Sequence, residues 1–466
     1  MSGFRLAFLS AFLLSTGLDL IAQERTVKIS EVVVIGNKRT KDFVVKREIA
    51  LKAGDTVRAD ALDQLAIDAQ QTLTNTSLFN FAEVSHTFLD SQRILVEVKV
   101  QERWYIWPGI VFSLAETNFN SWWQNKDFGR INYGLYVQDM NFRGRREVLT
   151  FHFQNGWKRM VGLNYMIPGL NKKRTIGAGL DVYYANNREV NYGSDGNERQ
   201  FFRDAQFIQE EIRVSGTVDY RKHLFNRHRF NLGMNTVIID DTVEAYSTTY
   251  LPGEHLRSQY LFLSYGFKRE KRDNIGYPLK GYVVDLTLDQ EGLGILNDDD
   301  IMISEAFLTV NVHSKLGGRW YYAFGVKGKS TLLNANDVPY YYQRGLGYSN
   351  AFIRGYELYV IDGQHYGLYK SNLKFNLLKK RTLDAGMGGI DSFDKFHYSL
   401  FLNAFADAGY VVDNINPSSN PLANTWQYSA GLGLDFVTYY DIVIRFEGSI
   451  NKQGVPGFFI HFKNPI

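Results

Sequence analysis

The chain has 466 residues, 45% of them hydrophobic and 15% aromatic, with 29 Tyr, 33 Phe and 41 Gly. A mean hydropathy of −0.25 excludes a bundle of membrane helices, and the lack of cysteine excludes disulfides and thiolate metal sites. A net charge of +3 gives no basis for nucleic-acid binding.

Residues 1–23 read as a secretory signal. Arg5 supplies the positive start, Leu6 to Leu14 the apolar run, and Leu20-Ile21-Ala22-Gln23 a small residue near the cut. The run is well short of the ~20 residues a membrane helix needs. Residues 24–103 form a small α+β module. Val27 to Ile35 is β-rich and Gly36-Asn37 ends it as a turn. Thr40 is placed to cap a helix through Ile49, with Asp42 in its first turn. Asp60 opens a second helix to about Thr76, where Leu62, Leu65, Ala66, Ala69 and Leu73 recur at helical spacing. Phe81 to Phe88 and Ile94 to Val100 alternate as strands, giving the order β-α-α-β-β.

From 104 to 466 about sixteen alternating stretches follow, with no convincing helix. Ile212, Val214, Gly216, Val218 and Tyr220 oppose Arg213, Ser215, Thr217, Asp219 and Arg221. Ile442, Ile444, Phe446, Gly448 and Ile450 likewise oppose Val443, Arg445, Glu447 and Ser449. A period of two with charge on one face fits lipid outside and water inside. A soluble sandwich also alternates, but the signal segment and the Tyr and Phe at strand ends favour a membrane barrel. Lipid offers no partner for a free sheet edge, so such strands must close on themselves.

Connections alternate in length. Short ones lie at Asn141 to Gly144, Leu316 to Gly318 and Val437 to Tyr440. Long polar ones lie at Asn186 to Ala205, Asp240 to His255, Asn297 to Asp300, Leu333 to His365 and Asp413 to Thr425. Short turns face the periplasm and long loops face outward in such barrels. The stretch Lys379 to Lys395 is long yet falls on the short-turn side, and the pattern gives no account of it.

Three motifs recur in order. The longest loop carries Phe352-Ile353-Arg354-Gly355-Tyr356. Downstream lies Phe405-Ala406-Asp407-Ala408-Gly409, and upstream lies Arg272-Asp273 with Tyr277-Pro278 and Gly281. The first module adds Val34-Ile35-Gly36-Asn37, Arg47-Glu48-Ile49, Gly54-Asp55, Ser77-Leu78-Phe79 and a closing Val96 to Arg103. Together these resemble the BamA/TamA-type outer-membrane assembly and two-partner-secretion superfamily, with one POTRA domain and a bacterial surface antigen barrel. The resemblance implies a 16-stranded antiparallel transmembrane β-barrel in the bacterial outer membrane, its POTRA domain in the periplasm, and a loop 333–365 folded into the lumen.

The resemblance also implies a lumen lock. Arg354 on the folded-in loop meets Asp407, Gly355 permits the tight turn, Tyr356 packs in the lumen, and Glu447 and Arg445 are further partners. Guanidinium and carboxylate make two parallel hydrogen bonds, which a lysine cannot. In a water-filled lumen the pair contributes only ~1 kcal/mol, so its expected role is loop placement. A second site is the barrel seam. Pro108 and Gly109 weaken the first strand, and Gly457 to Ile466, with Phe458, Ile460 and Phe462 on one face, forms the last. The chain ends Lys463-Asn464-Pro465-Ile466, without the superfamily's usual terminal aromatic.

The expected partners are outer-membrane lipid, unfolded outer-membrane or secreted client proteins, and periplasmic or lipoprotein accessory subunits, with no nucleic acid. The POTRA sheet edge offers β-augmentation to a client chain. No cofactor is expected. Gly325 to Ser330 ends like a phosphate-binding loop, but Ala323 stands where glycine is required. No zinc-protease or nucleophile-elbow motif occurs, and Asp298-Asp299-Asp300 reads as a solvated loop. Alternatives are a dedicated secretion pore for one partner, a passive porin or receptor, and a scaffold barrel.

Overall fold

The computed structural model describes residues 25–114, 131–247, 250–251, 256–296, 301–333, 338–384, 395–438 and 442–462. The signal-like segment 1–23, the acidic run 298–300 and the final four residues lie outside them. The N-terminal module comprises β1 (Thr26–Ile35), α1 (Asp42–Arg47), β2 (Thr56–Arg58), α2 (Leu62–Thr74), β3 (Phe79–Phe88) and β4 (Arg93–Glu102). Its sheet runs β2-β1-β4-β3, with β1 and β4 parallel. Ile29, Val45, Leu73, Ile94, Val96 and Val98 are fully buried between sheet and helices. The sequence pattern missed β2, since three residues are too few to show a period of two. The first helix is also shorter than expected. Thr40 does not cap it, because its Oγ1 sits 2.8 Å from Tyr105 Oη and accepts from Asn141 Nδ2 at 2.9 Å.

Sixteen strands then form one antiparallel sheet. They begin with β5 (Ile106–Leu114), β6 (Ile131–Phe142), β7 (Glu147–Gly156), β8 (Lys158–Ile167) and β9 (Ile176–Asn187). A separate hairpin, β10 (Glu189–Asp195) and β11 (Glu198–Arg203), projects before β12 (Gln209–Tyr220), β13 (Asn226–Ile239) and a short helix α3 (Asp241–Tyr246). The rest are β14 (Arg257–Glu270), β15 (Gly281–Glu291), β16 (Ile303–Gly317), β17 (Trp320–Leu333), β18 (His365–Asp384), β19 (Lys395–Val412), β20 (Gln427–Val437), β21 (Val443–Asn451) and β22 (Pro456–His461). The sheet curls into a barrel. Tyr277 in the β14–β15 turn reaches Asp435 on β20, and the β10–β11 turn reaches Asn420 in the β19–β20 loop.

Alternation sets the two faces. On β21 Val443, Arg445, Glu447 and Ser449 are buried, while Phe446 and Ile450 are exposed. Leu135, Phe151, Leu163, Leu180, Leu232 and Leu432 continue the outward apolar belt around the wall, which suits lipid. Wall height varies. Among the described residues β18 and β19 have 20 and 18 residues and β22 has 6. At ~3.4 Å per residue, β22 rises only about 20 Å.

Several connections differ from expectation. The polar stretch 186–205 is mostly the β10–β11 hairpin, and α3 arises where Asp240 accepts from the Thr242 N–H. Residues 379–384 continue β18 rather than forming a loop, and 385–394 lie outside the described residues. The last strand ends at His461, so its described part is shorter than Gly457 to Ile466.

The N-terminal module sits against the barrel's short turns. Lys41 N–H donates to Gly144 O at 2.9 Å, Arg47 Nη1 to Pro168 O at 3.0 Å, and Asn75 Nδ2 to Arg272 O at 2.8 Å. Phe81 meets the His397 ring edge-on, 5.0 Å between centroids. Gly144 has φ +71, and a Cβ there would lie 2.1 Å from Arg39 O, so this contact requires glycine.

Candidate functional site

The loop between β17 and β18 descends into the barrel, and Ile353, Arg354 and Tyr356 at its tip are buried. Gly355 has φ +89, the left-handed turn that lets the tip reverse, and its N–H donates to Glu357 Oε2 at 2.8 Å. The Gly355 carbonyl accepts from Asn451 Nδ2 at 3.0 Å, and Tyr356 Oη donates to Gln427 Oε1 at 3.0 Å. These contacts aim Arg354 at the inner face of β18, β19 and β21.

Arg354 uses its whole guanidinium. Nη2 and Nε donate to the two Asp407 oxygens at 2.5 and 2.8 Å, and the backbone N–H adds 3.1 Å. Nη1 donates to Asn372 Oδ1 at 2.6 Å and lies 3.4 Å from Glu447 Oε1. Nη2 also reaches Ser371 O at 3.1 Å, and the Phe405 ring lies 3.9 Å below the guanidinium carbon. Both side chains are sealed, at 1% and 0% exposure. The sequence led us to expect a solvated pair. Instead the pair is buried, with Phe405, on the same inward face as Asp407, lying against the guanidinium. A buried pair is costly to break, because one charge is left without its partner.

The network continues beyond the expected residues. Asp435 and Arg445 face each other across the β20–β21 ladder, with Nε to Oδ1 at 2.6 Å and Nη2 to Oδ2 at 2.8 Å. Arg445 Nη1 lies 3.4 Å from Glu447 Oε1, so Glu447 bridges the two arginines. Tyr277 Oη donates to Asp435 Oδ2 at 2.6 Å and Asn403 Nδ2 to Oδ1 at 2.7 Å. All three motifs therefore meet in one chain of contacts: the loop tip through Arg354, the strand through Asp407, and the β14–β15 turn through Tyr277. Lys370 and Lys374, also buried, lie over the Phe352 and Tyr277 rings at 4.1 and 4.3 Å. Asn372 and Asp435 escaped sequence reasoning. The only signal for them was a polar residue at an inward position, which many strands share.

The seam residues occupy the two ends of the sheet. Pro108 and Gly109 lie in β5, paired with Val137 and Tyr136 of β6. Gly457, Phe458 and Ile460 lie in β22, paired with β21, and Phe462 follows it, exposed. Among the described residues β5 and β22 share no ladder. The lumen lock and the last strand are in contact: Glu447 pairs with Phe459 in the β21–β22 ladder, and His461 Nε2 lies 3.4 Å from Glu447 Oε2.

A second cluster joins POTRA to barrel. Glu48 accepts from Arg146 Nη1 at 2.7 Å and from both Arg221 Nη atoms at 2.8 Å, with Arg47 Nε at 3.7 Å. Burial alone would raise its pKa, but Arg146 and Arg221 hold it down at about 2. A cavity of about 460 Å³ lies beside it, lined by Arg227, Lys271 and Arg272 among others.

Comparison with known proteins agrees with this architecture. The family model described as POTRA, surface antigen variable number repeat, matches residues 27–103. The outer membrane protein assembly factor BamA of Neorickettsia risticii (strain Illinois) is 25% identical over 195 residues, 40% of this chain. That match spans only 24% of the relative's length. The crystal structure of BamA from Haemophilus ducreyi lacking POTRA domains 1-3 has a similar fold, with a TM-score of 0.53 and 15% identity over 94% of this chain and 83% of that one. CdiB from Escherichia coli has a TM-score of 0.55 at 10% identity, covering 93% of this chain and 75% of that one. Residues 27–103 therefore match a POTRA domain, and the chain as a whole shares the fold of the BamA and CdiB barrels.

Proposed function

We propose that this protein inserts client polypeptides into the outer membrane or passes them across it. The POTRA domain, residues 24–103, receives an extended client at its free sheet edge. The barrel, residues 104–466, handles it at the β5–β22 seam. Three features support this reading. Among the described residues, the outer edge of β3 carries no ladder, and the edge of β1 facing away from β4 carries only three pairs, with β2. Among the described residues the seam strand β22, with 6 residues, is the shortest strand of the wall. A short wall perturbs the surrounding bilayer at that point.

The observation that carries the reading is the Arg354–Asp407 contact, which seats a long loop inside the lumen. A passive pore gains nothing from a buried, bidentate anchor that fills its own channel. The anchor's role is to hold the loop where the client pathway needs it. No nucleotide is involved, and the free energy comes from client folding.

The test is site-specific photocrosslinking from the β3 edge of the POTRA domain and from β22, in intact outer membranes. The expected product is an unfolded outer-membrane or secreted polypeptide caught at both positions. Steady ion conductance through the purified barrel with no captured polypeptide would favour a porin and overturn the proposal. A captured chain that reaches the cell surface marks the secretion pore; one that stays in the membrane marks insertion.

A further inference from the structure

β22 is attached to the wall on one side. Its ladder to β21 has six pairs, from Arg445 with His461 to Ile450 with Pro456, and Pro456 has no N–H to give. Among the described residues its other edge carries no ladder. A strand held by one short ladder is weakly anchored unless its inner face is packed as well.

That packing comes from the lumen loop. His461 Nε2 lies 3.2 Å from Glu357 Oε1, and its ring stacks on Phe352 with centroids 5.5 Å apart at 25°. Phe352 and Glu357 flank the very residues that make the Arg354 anchor. Glu357 is oriented by the Gly355 N–H and is almost fully buried, its side chain 3% exposed. One turn of chain thus grips β19 through Asp407 and β22 through His461, and it grips β21 through Asn451.

We infer that Phe352, Glu357 and His461 form a staple that makes the seating of the loop and the attachment of the last strand a single switch. The tip cannot leave its seat while the His461 contacts hold, and once it leaves, the inner face of β22 loses its packing. These are positioning residues; their effect on a client runs through the availability of the β22 edge. The inference rests on the proposed function only in giving that edge a use. The coupling is a property of the barrel alone.

Amide hydrogen exchange of the full-length barrel in lipid tests it, with POTRA strand β4 as internal control. Arg354→Ala, which removes no direct contact to β22, is expected to speed exchange in both the loop tip and β22 by at least about tenfold. His461→Ala should do the same, and adding Glu357→Gln to it should add nothing further. His461→Gln keeps a side-chain N–H for Glu357 and should restore part of the protection. If His461→Ala does not fold, His461→Gln and Phe352→Leu supply the same readout. Faster loop exchange with unchanged β22 in Arg354→Ala would overturn the coupling, as would additive effects of His461→Ala and Glu357→Gln. Lost client capture with the coupling intact would overturn the functional reading and leave this one standing.

Discussion

Arg221 of the barrel grips Glu48 of the POTRA domain with two prongs, Nη1 to Oε1 and Nη2 to Oε2, each 2.8 Å long. Arg146 adds a third bond from the β6–β7 turn, and Glu48 is 1% exposed. Four short turns and the base of β19 touch the domain, but this carboxylate is its only buried charge anchored to the barrel by a bidentate bond among the described residues. Replacing it leaves two partly exposed arginines facing each other without the carboxylate they share. Glu48→Ala should weaken docking by roughly 3–5 kcal/mol. Distance measurements between spin labels on α2 and on the β16–β17 turn should broaden from one population to several.

The same contact gives a pH dependence. Docked, Glu48 has its pKa lowered from 4.5 to about 2, since Arg146 and Arg221 outweigh its burial. Its contribution is therefore fully present above about pH 4.5 and is lost as pH falls through about 2. The label distances should stay constant from neutral pH to about 5 and spread only below that. Glu48→Gln should show no such transition.

Arg354→Ala leaves the buried Asp407 without its guanidinium partner and Glu447 with Arg445 and His461 alone. It should cost roughly 3–5 kcal/mol in loop seating. Arg354→Lys keeps the charge but loses the two parallel bonds and the fit to Asn372, so it should rescue only partly. Protease cleavage within residues 346–361 checks both.

Tyr277→Phe removes one hydroxyl, the donor to Asp435. The remaining partners, Arg445 and Asn403, keep the carboxylate in place, so the expected loss is about 1.5–3 kcal/mol for a bond to a charged group. The barrel's unfolding temperature in detergent should fall, with the POTRA transition unchanged.

At the end opposite the POTRA domain, Asn197 in the β10–β11 turn has φ +65 and is buried. Its side chain donates to Val360 O at 3.0 Å and Asn420 Oδ1 at 2.5 Å, and accepts from Leu422 N–H at 3.0 Å. It ties three surface loops together over the lumen. Asn197→Gly keeps the backbone conformation and loses these bonds, at a cost of roughly 1–3 kcal/mol. Asn197→Ala adds strain. Protease added to intact cells should nick the hairpin faster in both, and fastest in the alanine variant.

Local pattern determined a great deal here. The period of two on strands such as β12 and β21 is a local property of a wall with lipid on one side, so the strands and their faces were readable residue by residue. The loop, strand and turn motifs were readable too, through resemblance, and so was the pairing of Arg354 with Asp407. What the pattern could not carry was anything set by register or by closure of the sheet. Asp435 faces Arg445 only because β20 and β21 align at that rung. The dryness of the Arg354 contact depends on where the Phe405 ring falls, and Glu48 was a motif residue with no visible partner until the domain met turns about 100 and 170 residues away. Such contacts join residues with no sequence relation, and their energies depend on excluded water, so only the folded barrel decides them.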